Sequence, residues 1–192
     1  MATPEEFQNQ ATKREMYQIS LPLAIAKSLL AISSKDAYRP TLEKAVGVFN
    51  DGDKTVLVAT DTHTMLVATA PNKIDIPTGN YRHEVNPAQF NGRGRMLLSD
   101  IGQSFPDYTK ATVKTEPRCQ VGTLDTNTGR LQSCESICLD YRRFAPLCPG
   151  LYQMFTPKDK DPVDAQLPYI FTAKYDDWSL TYLIMPMTRT DL

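Results

Sequence analysis

The sequence has no long apolar run and no excess of charge, and its first residues do not resemble a targeting segment. No hydrophobic stretch approaches the roughly 20 residues that a membrane-spanning helix needs. The first 15 residues are polar and mix both signs of charge, unlike a secretory signal, so we expect a cytoplasmic protein without a membrane partner. The net charge is -1. Nucleic-acid binding would therefore need a local cluster of basic side chains.

The spacings typical of metal and catalytic sites are also missing. The four cysteines are Cys119, Cys134, Cys138 and Cys148. They do not form paired C-x-x-C motifs, so we expect reduced thiols and assign them no role. His63, Asp61 and Ser99 supply the residue types of a hydrolase, but no G-x-S-x-G turn, phosphate loop or calcium loop accompanies them. The sequence therefore predicts no enzyme, no metal site and no cofactor.

Hydrophobic periodicity predicts a strand, a helix and three further strands in the first part of the chain. Residues 16–19 alternate as a strand, and Ser20 and Pro22 are typical of the start of a helix running to Ser34. The turn Asp51-Gly52-Asp53 joins the next two strands, over residues 42–50 and 55–60. Residues 65–70 form the last strand of this unit.

A second unit of the same order follows a connector. Residues 72–112 are rich in Pro, Gly and Asn and predict a connector, with a short strand at 81–85, a helical turn at 87–90, and Arg93 and Arg95 in a loop. Strands at 119–125 and 131–139, a helix at 140–147 begun by Asp140, and strands at 152–156, 168–175 and 178–186 complete the prediction. The expected fold class is α+β, with both helices on one face of an antiparallel sheet. The expected divisions are a flexible tail (1–14), a first unit with connector (15–112) and a second unit (113–192).

Four short segments, taken together, resemble one known family. They are residues 38–42 (YRPTL), 58–63 (VATDTH), 104–108 (SFPDY) and 182–187 (YLIMPM). In this order they resemble the bacterial β sliding clamp, the β subunit of DNA polymerase III, with its R-P-x-L, A-T-D-G-H-R, F-P-D-Y and M-P-M segments. The resemblance is clearest over residues 16–70. It implies a shortened relative with a clamp-like fold and two strand-helix-strands units.

The resemblance also implies a function and a site. In the family the four segments form an apolar cleft that holds the clamp-binding motif of polymerases and other replication proteins. Carried over by position, the peptide-binding residues are Arg39, Leu42, Thr60, His63, Pro106, Leu183, Ile184, Met185 and Met187. The chain departs from the family at Thr62, where the family has Gly, and at Thr64, where it has Arg.

The resemblance further implies that basic residues on the helices contact double-stranded DNA. The corresponding residues here are Lys27, Lys35, Arg142 and Arg143, to which the connector adds Arg93 and Arg95. We expect weak, salt-sensitive binding and a monomer or dimer at rest. Two functions stay open. One is a compact processivity factor that self-associates around DNA, and the other is a non-ring adaptor or decoy that competes for clamp-binding motifs, a form suited to a phage or mobile element.

Overall fold

One antiparallel sheet dominates the computed structural model, which describes residues 15–83, 88–90, 93–110, 118–133, 141–144, 146–157 and 168–185. The described residues of the first part form β1 (Met16–Pro22), α1 (Leu23–Ile32), β2 (Ala45–Asp51), β3 (Lys54–Thr60), β4 (Thr64–Thr69), β5 (Gly79–His83), β6 (Ala88–Phe90) and β7 (Arg93–Asp100). Those of the second part form β8 (Arg118–Asp125), β9 (Arg130–Ser133), a 3-10 helix (Tyr141–Phe144), β10 (Leu151–Pro157), β11 (Tyr169–Tyr175) and β12 (Trp178–Ile184).

The sheet runs without a break from the first part of the chain into the second. Its strand order is β1-β7-β5-β2-β3-β4-β12-β11-β10-β8-β9, and β6 pairs with β7. The two parts meet at the antiparallel pair β4–β12, whose register extends from Thr69 opposite Ser179 to Thr64 opposite Ile184. The last described strand therefore lies beside a strand from the first half of the chain. The predicted boundary at residue 112 stays a prediction.

Alternation along the strands divides the buried side chains between two faces. On the helix face, Ile25 and Leu29 of α1 pack over β3, β4 and β7, and Phe144 of the 3-10 helix lies edge-on to Phe171, with ring centroids 5.4 Å apart. We call the opposite side the outer face. It carries a smaller cluster, the outer-face cluster, formed by Leu42, Ala45, Val56, Val58, Val67, Phe105, Ile170 and Leu183. The predicted α+β class, with its helical segments on one face of the sheet, is confirmed.

The predicted start of α1 was wrong. Strand β1 continues through Ser20 to Pro22, because Ile19 and Leu21 alternate inward while Ser20 pairs with Arg95 of β7. Pro22 then occupies the N-cap position, and no side chain caps the helix. A proline has no N–H to offer a sheet, which makes it a natural last residue of the strand.

The predicted connector was also wrong in part. The strand expected at 81–85 is present as β5, over residues 79–83, but residues 88–90 and 93–100 are strands of the sheet as well. Arg93 and Arg95 therefore lie in β7 rather than in a loop. Gly94, between them, is buried opposite Leu21. Pro87 lies outside the described residues, and the helical turn predicted at 87–90 is strand from Ala88.

The second predicted helix is reduced to one 3-10 turn, Tyr141–Phe144, within the described residues. Of the strand predicted at 131–139, the described part ends at Ser133. Asp140, the predicted cap, lies outside the described residues. The other strands predicted in this unit are present, with ends shifted by one or two residues.

Candidate functional site

The corner between β3 and β4 is organised by one carboxylate. Asp61 Oδ1 accepts hydrogen bonds from the His63 and Thr64 amides, at 2.9 and 2.7 Å, and from the Thr64 hydroxyl, at 2.8 Å. The Thr60 hydroxyl donates to the Thr64 carbonyl at 2.7 Å and accepts from the Thr62 amide at 3.0 Å. These side chains satisfy the backbone groups of the corner, so its shape is fixed by local hydrogen bonds.

Two other segments are tied to this corner. The Met185 amide donates to the His63 carbonyl at 2.9 Å, just beyond the pairing of Leu183 with Met65. From the loop after α1, Arg39 Nη1 donates to the Thr62 hydroxyl at 2.6 Å. The segments 38–42, 58–63 and 182–185 therefore converge in space, although they are far apart in the sequence.

The fourth segment, residues 104–108, covers strand β2 on the outer face. Phe105 lies edge-on to Phe49, with ring centroids 6.1 Å apart, and Tyr108 lies 4.8 Å from the same ring. Phe105 is buried whereas Pro106 is exposed. After them, the Thr109 hydroxyl donates to Asp107 at 2.6 Å, and this hydrogen bond lowers the pKa of that carboxyl below its usual range.

The structure brings together most of the residues predicted to bind a peptide. Leu42 and Leu183 belong to the outer-face cluster, and so does Phe105, the neighbour of Pro106. Around this cluster four predicted residues are exposed to solvent: Arg39, His63, Pro106 and Met185. Met187 lies outside the described residues.

Ile184 does not belong with this group. It is fully buried in the large core cluster on the helix face, while its neighbour Leu183 faces outward. Successive side chains of a strand point to opposite faces, so a single strand cannot present both residues to one cleft. The assignment of Ile184 to the cleft is therefore corrected.

The apolar residues of the candidate cleft are covered in this conformation. Leu42 and Thr60 are each 7% exposed, and Leu183 is 4% exposed. Met185, at 36%, is the most exposed of the apolar side chains here. A peptide side chain could reach Leu42 and Leu183 only if the surrounding segments moved apart.

A group of lysines forms a separate feature on the helix face. Lys27 and Lys35 were predicted from the sequence, but Lys44 and His83 were not. All four line a shallow open depression of about 520 Å³, together with Leu30, Ala31 and Ser33. Lys44 reaches this place because its amide donates to the Ser34 carbonyl at 2.8 Å and its carbonyl accepts from His83 at 3.0 Å. Such long-range pairing leaves no local signal in the sequence.

The predicted arginines are spread over both faces. Arg93 and Arg95 point to the outer face, because Met96 and Leu98 of the same strand lie in the core beneath α1. They cannot share a surface with Lys27, so their grouping with the helix lysines is corrected. Arg142 is exposed on the 3-10 helix.

Arg143 links the 3-10 helix to the corner. Its Nη1 lies 3.6 Å from Asp61 Oδ2, and its carbonyl accepts a hydrogen bond from the Tyr182 hydroxyl at 2.6 Å. Burial raises the pKa of Tyr182, so its phenol stays neutral and remains a donor.

Neither a metal cluster nor a membrane helix is found in the described part of the chain. No three His, Cys, Asp or Glu side chains there are grouped closely enough to hold a metal ion. Among the same residues, no helix is both long and apolar enough to cross a membrane. Cys148 is buried and Cys119 is half-buried, both as free thiols.

No protein-family profile and no curated protein sequence matches the chain. Solved structures do. A DNA polymerase sliding clamp from Bacillus subtilis matches with a TM-score of 0.54 and 12% identity, over 93% of this chain and 66% of that one. The β subunit from DNA polymerase of Streptococcus pyogenes matches with 0.53 and 11%, over 94% and 69%.

The DNA polymerase III β subunit from Thermotoga maritima matches with a TM-score of 0.54 and 12% identity, over 90% of this chain and 65% of that one. The chain thus spans about two thirds of the length of these structures. An identity near 12% shows the fold alone. The clamp-like fold implied by the four sequence segments is confirmed.

Proposed function

Because this chain has the sliding-clamp fold, we propose that it is a clamp-like DNA replication protein without enzymatic activity. Its outer face would bind short clamp-binding segments of polymerases and other replication factors. The convergence of three segments on one corner carries this proposal, since Met185 and Arg39 both bond to residues 62–63 and Leu183 lies in the cluster with Leu42.

The chemistry of these residues suits a peptide with two apolar anchors. Leu42 and Leu183 supply aliphatic walls, and Met65 and Met185 supply flexible side chains that can repack around a ligand. Arg39 and His63 are the polar groups at the rim. A flexible peptide of five or six residues that buries two side chains should bind with a Kd of about 1–100 μM, because ordering the peptide offsets much of the burial.

Fluorescence polarisation with a labelled Gln-Leu-x-Leu-Phe peptide tests the proposal. Replacing Met185 with Ala should weaken binding by about 1–2 kcal/mol, or roughly 5- to 30-fold, because it removes one wall. Met16→Ala is the matched control, since Met16 is also exposed but lies in β1, at the far edge of the sheet. Absence of saturable binding, or equal effects of the two substitutions, would contradict the peptide site.

We further propose that double-stranded DNA contacts the helix face through Lys27, Lys35 and Lys44. These lysines line one depression, so their charges act together on neighbouring phosphates despite the near-neutral chain. Light scattering with and without DNA then separates the two roles left open by the sequence. A stable ring on DNA would favour the processivity factor, and a monomer would favour the adaptor or decoy.

A further inference from the structure

Thr62 holds a backbone conformation that its side chain disfavours. Its φ angle is +79°, in the left-handed region, where a β-branched residue is an outlier. The Thr60 hydroxyl accepts from the Thr62 amide at 3.0 Å, and Asp61 Oδ1 accepts from the next amide, that of His63, at 2.9 Å. The surrounding bonds thus maintain the strain, and retained strain of this kind is a pointer to function.

The strained residue makes a hydrogen bond to the loop that carries Leu42. Its hydroxyl accepts a hydrogen bond from Arg39 Nη1 at 2.6 Å. Arg39 precedes Leu42 in the loop after α1, and Thr62 belongs to the corner that holds Met185 through His63. The bond therefore joins two of the segments that border the cleft.

The same conformation covers the cleft. Leu42 and Leu183 are 7% and 4% exposed, so an apolar peptide side chain cannot contact them in this conformation. We propose that Thr62 determines access to the peptide site, and that its hydrogen bond with Arg39 is a latch that keeps the cleft closed. This inference rests on the proposed peptide-binding function.

The latch is expected to lower the apparent affinity for the peptide. A protein that must first break a contact is mostly in a state that does not bind, and its apparent affinity falls by the fraction that is open. One exposed hydrogen bond between a guanidinium and a hydroxyl corresponds to a factor of about five in the equilibrium between the closed and open forms of the cleft. Removing the hydroxyl should therefore tighten peptide binding about fivefold.

Three substitutions at Thr62 separate the latch from the strain. Thr62→Ala removes the hydroxyl and keeps a Cβ at positive φ, whereas Thr62→Ser keeps both. Thr62→Gly removes the hydroxyl and the strain together, and it remains informative if the Ala variant folds poorly. We expect the Ala and Gly variants to bind the Gln-Leu-x-Leu-Phe peptide about fivefold tighter, and the Ser variant to match the wild type within about twofold.

A second measurement needs no peptide. The relaxation of the Leu42 and Leu183 methyl signals by a soluble paramagnetic agent reports their exposure to solvent, and it should increase in the Ala and Gly variants only. If peptide binds but neither exposure nor affinity distinguishes Thr62→Ala from Thr62→Ser, the latch is refuted. If no variant binds peptide while methyl exposure rises as expected, the latch stands and the peptide-binding function fails.

Discussion

Residues 104–108, which include Pro106, are expected to pack on the outer face only if position 47 is glycine. A Cβ built on Gly47 would lie 2.6 Å from Phe105 Cγ and 2.8 Å from Phe105 Cδ1, well inside van der Waals contact. It would also lie 2.9 Å from Cε2 of Phe49, at the far end of a half-buried ring that can rotate away. Gly47→Ala should therefore push Phe105, and with it residues 104–108, off the outer face.

The expected loss of folding stability in Gly47→Ala follows from overpacking. Adding one methyl group to a well-packed site costs about 1–3 kcal/mol. Phe105→Ala alone should cost about 3 kcal/mol or more, because the ring is 7% exposed and leaves a cavity. In the Phe105→Ala background the added methyl has room, and alanine is also favoured over glycine in a strand by about 0.5–1 kcal/mol.

Urea unfolding of the wild type, both single variants and the double variant measures this coupling. We expect the cost of Gly47→Ala to disappear or change sign in the Phe105→Ala background, which corresponds to an interaction energy of about 1–3 kcal/mol. If Gly47→Ala costs the same in both backgrounds, Phe105 does not pack on Gly47, and the placement of residues 104–108 over β2 is wrong.

Two further predictions concern the helix face. Tyr182→Phe should cost about 1 kcal/mol at pH 7, because the Arg143 carbonyl loses its donor. Burial raises the pKa of Tyr182 above its ordinary value of 10.0. The contribution of this phenol to the free energy of unfolding is therefore complete below pH 10 and is lost as the pH rises toward the folded-state pKa. Urea unfolding should then show a smaller alkaline loss of stability in Tyr182→Phe than in the wild type, and equal losses would refute the assignment. Lys44→Gln should reduce the slope of log K against log salt concentration for duplex DNA binding by about 1, as measured by fluorescence anisotropy. Arg93→Gln, on the outer face, should leave this slope unchanged. The reverse result would contradict the surface assignment.

Local patterns predicted the hairpins well because turn and strand signals lie next to each other. Asp51-Gly52-Asp53 predicted the β2–β3 turn, and the structure has it. The strands predicted at 119–125 and from residue 131 are β8 and β9, which pair as a hairpin. The strand at 93–100 was missed for a different reason. Gly94 weakens the strand pattern of its own segment, and only its pairing with Leu21, about 70 residues earlier, accounts for its place in β7.

The errors at the candidate site have two physical origins. Ile184 could have been separated from Leu183 by sequence reasoning alone, because strand alternation fixes their opposite faces once residues 178–186 are read as a strand. Lys44 could not have been grouped with Lys27, since the two meet only through the pairing of residues 34, 44 and 83.

The corrected positions separate the two proposed binding surfaces. The lysine depression lies on the helix face and the peptide residues lie on the outer face, with a single sheet between them. A duplex held on the helix face would therefore leave Met185 and His63 open to a partner, so the two ligands need not compete for the same atoms. The loop after α1 joins the two surfaces, because it carries Lys35 and Lys44 of the depression and also Arg39 and Leu42 of the candidate cleft. A second contact with the corner comes from Arg143, which reaches from the 3-10 helix to Asp61. This half-buried ion pair is expected to contribute on the order of 1 kcal/mol, so coupling carried by it alone would change peptide affinity by about fivefold.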